Sequence, residues 1–417
     1  MSSTALRTDR YELTMLDAAL RAGIAEAPAT FEVFSRRLPE GRKAGVFAGL
    51  GRLVEGIERF HFGAAELQWL AAGGWLSHDA RDWLRSYRFS GTIDAYREGE
   101  WYAPGSPVLT VEGSFGEAVL LETLVLSVLN FDSAVASAAS LLVEVAAGRP
   151  IIEMGSRRTD PDAAVAAARA AYVGGFASTS NLEAGRRYGI PTAGTAAHSF
   201  VLAFPTEADA FAAQVASMGE ATTLLVDTFD VDTGIRHAVE VAGRRLGGIR
   251  IDSGDLPVQA RRARRLLDDL GAEATKVVVT GDLDDAGLRA LAGAPVDAYG
   301  VGTNVVTGLG APTASFVYKL VALGPTGEQH AVAKRSPGKA TVGGRKEAWR
   351  SGAGGATPRD LVGPIGTPAP PGARPLIHRV VEEGACVGGR SMEEAREWHQ
   401  AVRTELRRAT ALGLERL

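Results

Sequence analysis

A chain of 417 residues, 46% hydrophobic and 23% charged, has an ordinary globular composition and is long enough for two or three packed domains. A formal charge of −4 gives no bulk attraction for nucleic acid or for an anionic membrane, so any phosphate binding has to come from a local site. One cysteine, Cys386, excludes an internal disulfide and any multi-cysteine zinc site. With no apolar h-region in residues 1–11, these features read as a cytoplasmic chain. Thr8 or Asp9 caps a first helix, with Tyr11 opposite the apolar row Leu13, Leu16 and Leu20. Residues 30–34 alternate as a strand and run into Arg36-Arg37 ahead of Pro39. Residues 46–60 and 64–70 read as helices, and 91–96 and 108–111 as strands around Pro104-Gly105. Residues 118–147 form a long helical region, broken near Asn130-Phe131-Asp132. Its most apolar part, 118–129, contains Glu122 and is too short to span a bilayer.

From residue 150 the pattern becomes strand, polar loop, helix, at intervals of roughly 20 to 30 residues. Ile151-Ile152-Glu153-Met154 ends in Gly155-Ser156-Arg157-Arg158, and Ala177-Ser178-Thr179-Ser180-Asn181 leads into a helix. Residues 190–195 read as a strand running towards His198, with Gly194 and the hydroxyls of Thr195 and Ser199 close by. Strands at 222–226, 248–251, 276–279 and 296–299 end in Asp227, Asp252, Thr280-Gly281-Asp282 and Gly300-Val301-Gly302-Thr303. Residues 315–323 make a last strand. No Gly-x-Gly-x-x-Gly opens the first unit, so an irregular (β/α) barrel of eight strands fits better than an open dinucleotide-binding sheet. Loops after barrel strands meet at one face, so Arg157, Ser180, His198, Asp227, Arg250, Asp252 and Gly302 converge there. Taken singly, Asp227 and Asp252 also suit helix caps and Gly302 a turn. After residue 325 the composition shifts to Gly, Pro and Lys, with short strands near 329–333, 346–349 and 376–381 and a loop at 353–371. Ser391 caps a terminal helix over 391–409, with Glu394 completing a capping box. The expected fold is therefore α/β. An N-terminal α+β domain spans 1–115 and a (β/α) barrel spans 116–325. The C-terminal segment 326–417 packs its small strands and helix on the N-terminal domain.

Arginines beside glycine-rich strand ends suit an anionic, phosphorylated ligand, and backbone N–H groups near Gly300 and Gly302 suit phosphate oxygens. Asp227, Asp252 and Asp255 suit Mg²⁺ or ribose hydroxyls. His198 suits a base or a phosphoryl acceptor. These groups name reagents and leave the reaction open.

Longer motifs are more specific. Thr8-Asp9-x-Tyr11-x-Leu13-Thr14-Met15, Gly155-x-Arg157-Arg158, Gly174-Gly175-Phe176-x-x-Thr179-Ser180-Asn181, Gly194-Thr195-x-Ala197-His198-Ser199-Phe200, Asp252-Ser253-Gly254-Asp255-Leu256 and Gly300-Val301-Gly302-Thr303 resemble nicotinate phosphoribosyltransferase, in that family's order across roughly residues 8–350. The resemblance implies joining of nicotinate to phosphoribosyl pyrophosphate, driven by ATP through a phosphohistidine, in NAD synthesis. It implies that His198 is the phosphorylated residue, with Asp227 and Asp252 close to it, to the ribose and to magnesium pyrophosphate. Tyr11 then stacks on the pyridine ring from the neighbouring subunit of a homodimer with shared active sites. Arg157 and Arg250, with Thr179, Ser180 and Thr195, face the substrate, and Arg36, Gly281, Gly300, Gly302 and Thr303 serve phosphate. Mg²⁺ enters with the substrate, Asp252 being its protein contact, and ATP is a co-substrate. Nucleic acid and membrane are not expected partners.

Ser180 stands where nicotinamide-using relatives carry an aspartate, which would repel the nicotinate carboxylate. Two departures from the family's pattern are Thr280-Gly281-Asp282, where Ser-Asn-Asp is usual, and Gly302-Thr303-Asn304, where Gly-Thr-Arg is common. The second removes a base near phosphate and shifts weight to Arg36 and Lys319. A nicotinamide or quinolinate enzyme and a silent metabolite-binding barrel are the competing readings.

Overall fold

A computed structural model of the protein describes residues 3–325, 328–336, 340–352, 357–406 and 412–417. The chain divides into two compact units, one of residues 1–137 with 311–417 and one of 138–310. The first junction lies inside the helix Glu122–Val145, because Leu124, Val125 and Leu129 belong to the first unit's core. The packing divisions thus differ from the expected boundaries at 115/116 and 325/326. Asn130 and Asp132 do not break this helix as expected. Asn130 exchanges hydrogen bonds with the backbone of Phe316 (2.8 and 3.3 Å), and Asp132 pairs with Arg52. Both side chains are engaged by tertiary partners, so neither draws the helical backbone out of register. The helical run 115–145 is 31 residues long and apolar enough to cross a membrane, contrary to the short span expected. Two thirds of its most apolar window is buried within the protein, as in a core helix.

The second unit is built on a curled parallel sheet of six strands among the described residues. Their order is Ser178–Thr179, Ile151–Glu153, Ala298–Val301, Lys276–Val279, Gly248–Ile251 and Thr223–Leu225. Helices follow the strands in sequence, as the βα rhythm predicts. The expected barrel is present as this irregular partial barrel, with six strands in place of eight. The segment before His198 is no strand. It touches the sheet through one bridge, Thr179 with Thr192, and His198 opens a short helix, His198–Leu202. Three small residues precede the histidine (Thr195, Ala196, Ala197), too little side chain to hold a pleated strand against a core. The last predicted strand, Phe316–Leu323, lies in the first unit, where it pairs antiparallel with Pro28–Ser35. Among the described residues the next elements are strands, with no βα helix to place it in a parallel sheet.

The first unit contains an antiparallel sheet of seven strands among the described residues. These run His330–Ala331, Phe316–Leu323, Pro28–Ser35, Leu109–Ser114, Thr92–Tyr96, Ile377–Glu382 and Ala385–Cys386. N-terminal and C-terminal segments thus share one sheet. A second sheet joins Arg374–Pro375, Lys346–Ser351, Arg359–Pro364 and Gly413–Arg416. Arg359–Pro364 lies in what the sequence suggests is a loop; residues 353–356 fall outside the described set. Arg350, nearly fully buried, pairs with Glu100 (2.7 Å) and Asp360 (2.6 Å) and so ties the second sheet to the N-terminal segment. Ser391 caps its helix by accepting from Glu394 N (3.1 Å), and the helix runs Met392–Val402 before a 3₁₀ turn, Arg403–Leu406. The rest of the expected span, 407–409, lies outside the described residues.

Candidate functional site

Each parallel strand hands its last residue to a polar loop, and helix caps divide the labour within those loops. Asp230, Asp255 and Asp284 are the N-caps of the helices Val231–Ala242, Leu256–Asp269 and Asp285–Ala290. Capping therefore consumes the second acid of Asp227-x-x-Asp230 and of Asp252-x-x-Asp255. The first acid of each pair stays at the strand end, available to a ligand.

Asp227 is buried, with Oδ2 accepting from Asp252 N (2.8 Å) and Ser253 Oγ (2.8 Å). Its Oδ1 is buried without a hydrogen-bond partner. Asp252 accepts from Thr280 Oγ1 through Oδ1 and turns Oδ2 to within 3.8 Å of His198 Nε2. The other ring nitrogen, Nδ1, lies 3.1 Å from Thr228 Oγ1. The imidazole is thus held from the loop after Thr223–Leu225 and faced by a carboxylate from the next loop. It stays about two-fifths exposed, open to a reagent.

Arg250 is half-buried. Nη1 donates to Thr195 Oγ1 (2.8 Å) and Nη2 to Ala196 O (3.0 Å), while its buried Nε has no partner. Burial lowers its pKa, opposed by Asp252 and Asp227, and the nearby Arg157 lowers it further. Arg250 therefore braces the small-residue segment leading to His198.

A cleft of about 210 Å³ opens beside these groups, lined by Arg157, Arg158, Arg250, Asp252, Gly281, Gly300, Gly302 and Thr303, with Met154, Thr280 and Asp282 completing it. Gly281 sits at φ +107°, where a Cβ would lie 2.3 Å from Asp252 O. A Cβ on Gly300 would meet Thr280 Cγ2 at 2.5 Å and Met154 Sδ at 2.7 Å. Only glycine lets these strand ends pack so closely against one another. Thr303 Oγ1 contacts Asp282 Oδ1 at 3.4 Å, and Asn304 donates to the carbonyls of Asp282 and Leu283 (2.9 and 3.1 Å). Asn304, where arginine is common in the resembling family, is thus occupied in holding the neighbouring loop.

Thr179 is fully buried and Ser180 half-buried at the adjoining strand end. Asn181, rather than Ser180, caps the helix Leu182–Tyr188 by accepting from Ala184 N (2.9 Å), which leaves the Ser180 hydroxyl free of capping. The predicted residues Arg157, Thr179, Ser180, Thr195, His198, Asp227, Arg250, Asp252, Gly281, Gly300, Gly302 and Thr303 all belong to the second unit, at or beside the strand ends. Tyr11 and Arg36 belong to the first unit. Tyr11, 44% exposed, lies on the first turn of Arg10–Ala22, and Arg36 is exposed just past Pro28–Ser35. Burial and the nearby carboxylates of Glu122, Glu12 and Asp9 push the Tyr11 phenol up to about 12. Lys319 lies 3.8 Å from Glu122.

Sequence reasoning missed Thr228, Thr280, Arg158 and Glu153. The first three stand next to predicted residues and were readable from the strand-end rule. Glu153 gave no signal, since one acid inside a three-residue strand has no periodic pattern around it. Among the described residues no group of three or more His, Cys, Asp or Glu side chains forms a metal-binding cluster.

Guanidinium groups for an anion, crowded glycines for phosphate, and a carboxylate facing one histidine fit an enzyme that transfers a phosphorylated sugar. Comparisons with known proteins give the family. Residues 6–130 match the model of the nicotinate phosphoribosyltransferase N-terminal domain, and 150–347 that of the nicotinate phosphoribosyltransferase family. Nicotinate phosphoribosyltransferase pncB1 of Mycobacterium tuberculosis is 55% identical, over 98% of this chain and 92% of that one. The Bacillus subtilis nicotinate phosphoribosyltransferase is 38% identical over 84% of this chain and 73% of its own length. The crystal structure of human nicotinic acid phosphoribosyltransferase superposes with a TM-score of 0.85 at 27% identity, covering 98% of this chain and 97% of that one. The chain belongs to the nicotinate phosphoribosyltransferase family; it is an enzyme acting on small molecules, with the family's place in NAD salvage.

Proposed function

We propose that the protein couples ATP hydrolysis to the joining of nicotinate and phosphoribosyl pyrophosphate, through a phosphohistidine at His198. The observation that carries this is the setting of His198: Nδ1 beside Thr228 Oγ1, Nε2 facing the carboxylate of Asp252, next to a cleft with three arginines. With Nδ1 engaged by Thr228, Nε2 is the nitrogen that takes the phosphoryl group of ATP. ADP leaves as that N–P bond forms, and water later cleaves the phosphohistidine to free phosphate. In the transfer step the pyridine nitrogen forms its bond to the anomeric carbon as the bond to pyrophosphate breaks. Positive charge develops on the ribose, and Asp227 and Asp252 oppose it. Arg157 and Arg250 bind anionic groups of the substrates, Thr179 and Thr195 shape the pocket, and Ser180 leaves room for the nicotinate carboxylate without repelling it. Gly281, Gly300, Gly302, Thr303 and Arg36 serve phosphate.

Mg²⁺ fits this donor set as a partner of pyrophosphate. The orphaned Oδ1 of Asp227 and the open Oδ2 of Asp252 are the oxygens that would hold it directly or through water. When bound it neutralises charge on the leaving group. Tyr11 presents its ring to the pyridine of a neighbouring subunit in a homodimer with shared active sites. The cytoplasm is the proposed compartment, and neither nucleic acid nor membrane is a partner.

The test is pyrophosphate release with phosphoribosyl pyrophosphate and Mg²⁺, supplying nicotinate or nicotinamide, each with and without ATP. Release with nicotinate, raised by ATP, is the expected result. Release with nicotinamide alone overturns the assignment of Ser180, and no release with either base favours a metabolite-binding role. In His198→Ala the stimulation by ATP is expected to disappear and turnover to fall. Persistence of the stimulation removes His198 from the coupling.

A further inference from the structure

We infer that Glu153 is a positioning residue for base recognition, clamping together the two loops that carry Arg157 and Ser180; this rests on the roles proposed for those two residues. Glu153 ends the strand Ile151–Glu153 and is 1% exposed. A buried strand position ordinarily takes an apolar side chain, and a buried carboxylate ordinarily takes a cation. Glu153 has no ion-pair partner among the described residues. Its two oxygens instead divide between two loops: Oε1 accepts from Gly155 N, and Oε2 from Thr179 Oγ1 at 2.5 Å. Burial raises its pKa, and both hydrogen bonds oppose the rise by favouring the ionised form.

The rest of the junction is built around that carboxylate. Glu153 O accepts from Ser180 N (2.8 Å), so the main chain and side chain of one residue hold two successive positions of the second loop. Thr179 Oγ1, while donating to Glu153, accepts from Asn181 N (3.0 Å). Asn181 Nδ2 donates back across the gap to Ser156 Oγ (3.0 Å). Gly155 passes so close over the acid that a Cβ there would lie 2.8 Å from Glu153 Oε1 and 2.2 Å from Val306 Cγ1. Loops 154–158 and 179–181 are therefore one hydrogen-bonded body with the carboxylate at its centre. Arg157 lies on the first loop and Ser180 on the second, each within two residues of a clamped group. A cation for the nicotinate carboxylate and a hydroxyl that admits it must keep a fixed spacing, and Glu153 sets that spacing.

The test compares Glu153→Ala, Glu153→Gln, Thr179→Val and Thr179→Ser in the full-length protein, by steady-state kinetics and by hydrogen exchange of the amides in 155–158 and 179–181. Glu153→Ala is expected to raise KM for nicotinate about tenfold or more, with KM for phosphoribosyl pyrophosphate within about twofold, and to speed exchange in both loops together. Thr179→Val repeats this more weakly and keeps the proposal testable if Glu153→Ala does not fold. Glu153→Gln, which keeps an acceptor for Gly155 N–H and offers Thr179 a donor, recovers most of the loss, as does Thr179→Ser. Unchanged exchange in either loop overturns the clamp. Faster exchange with an unchanged KM for nicotinate, or an equal rise in both KM values, overturns the role in base recognition. If the wild-type protein turns over neither base, the reading of function fails while the exchange data still decide the clamp.

Discussion

Asp227 shows how one side chain separates chemistry from structure. Its Oδ2 holds Asp252 N and Ser253 Oγ, and its Oδ1 holds nothing. Asparagine can keep both accepted hydrogen bonds through its amide oxygen and place its NH₂ where Oδ1 now lies. Asp227→Asn should therefore leave the melting temperature within a few degrees of wild type, yet lower kcat on the order of 100-fold by removing the charge proposed to act on the ribose. A kcat within threefold of wild type would show that Asp252 alone carries that charge. Ser180 gives the complementary case. Ser180→Asp sets a carboxylate against the nicotinate carboxylate and should shift the ratio of kcat/KM values towards nicotinamide by about tenfold or more, a like-charge effect of at least 1.4 kcal/mol. An unaltered ratio would mean that another residue selects the base. At this scale the sequence, read by its motifs, named His198, Asp252 and Arg157, which the structure sets at or beside one cleft. It was silent on Glu153, because nothing in a short strand marks which acid turns inward to neutral donors.

At the scale of elements, the recurring unit is strand, acid, two residues, acid, helix. Both acids look alike in sequence, and Asp227 and Asp252 were equally readable as caps. The helix start resolves them: the acid next to the first helical residue accepts the free N–H groups, as Asp230 does from Thr233 N (2.9 Å). Asp230→Ala should remove the N-cap and lower the melting temperature of the second unit, with KM values little changed. Asp227→Asn should do the reverse, so two acids in one loop separate into a stability effect and a rate effect. Loss of turnover in Asp230→Ala with unchanged melting would contradict that division. The βα rhythm was legible because it repeats. The partners of Asn130 and Asp132 were not, since a polar residue in a helix reads as a break until its distant partner, Phe316 or Arg52, is known. The strand Phe316–Leu323 was visible as a strand, but its partner Pro28–Ser35 is some 280 residues away in the chain, beyond any local pattern.

At the scale of the molecule, the first unit holds two buried groups whose titrations oppose each other. Glu12 is fully buried. Its Oε1 accepts from Thr123 N (2.8 Å) and Thr123 Oγ1 (2.5 Å), and Oε2 has no partner, so burial raises its pKa from 4.5 to about 7. His399 is also fully buried, with Nδ1 2.8 Å from Gly99 O, and burial lowers its pKa from 6.5 to about 4. The folded state holds more protons than the unfolded at Glu12 between pH 4.5 and 7, so this group subtracts stability as pH rises through that window. At His399 the unfolded state holds more protons between pH 4 and 6.5, so this group adds stability as pH rises. The two windows overlap, each contribution is up to roughly 3 kcal/mol, and the two largely cancel. Removing one should expose the other. Measured as the difference in melting temperature from wild type at pH 5, 6 and 7, Glu12→Gln should gain stability relative to wild type as pH rises. His399→Asn, which keeps an N–H for Gly99 O, should lose it. Differences from wild type cancel the many other titrating carboxylates, so the two slopes must carry opposite signs. Slopes of the same sign, or flat differences for both variants, would show that these two groups do not set how the first unit responds to pH.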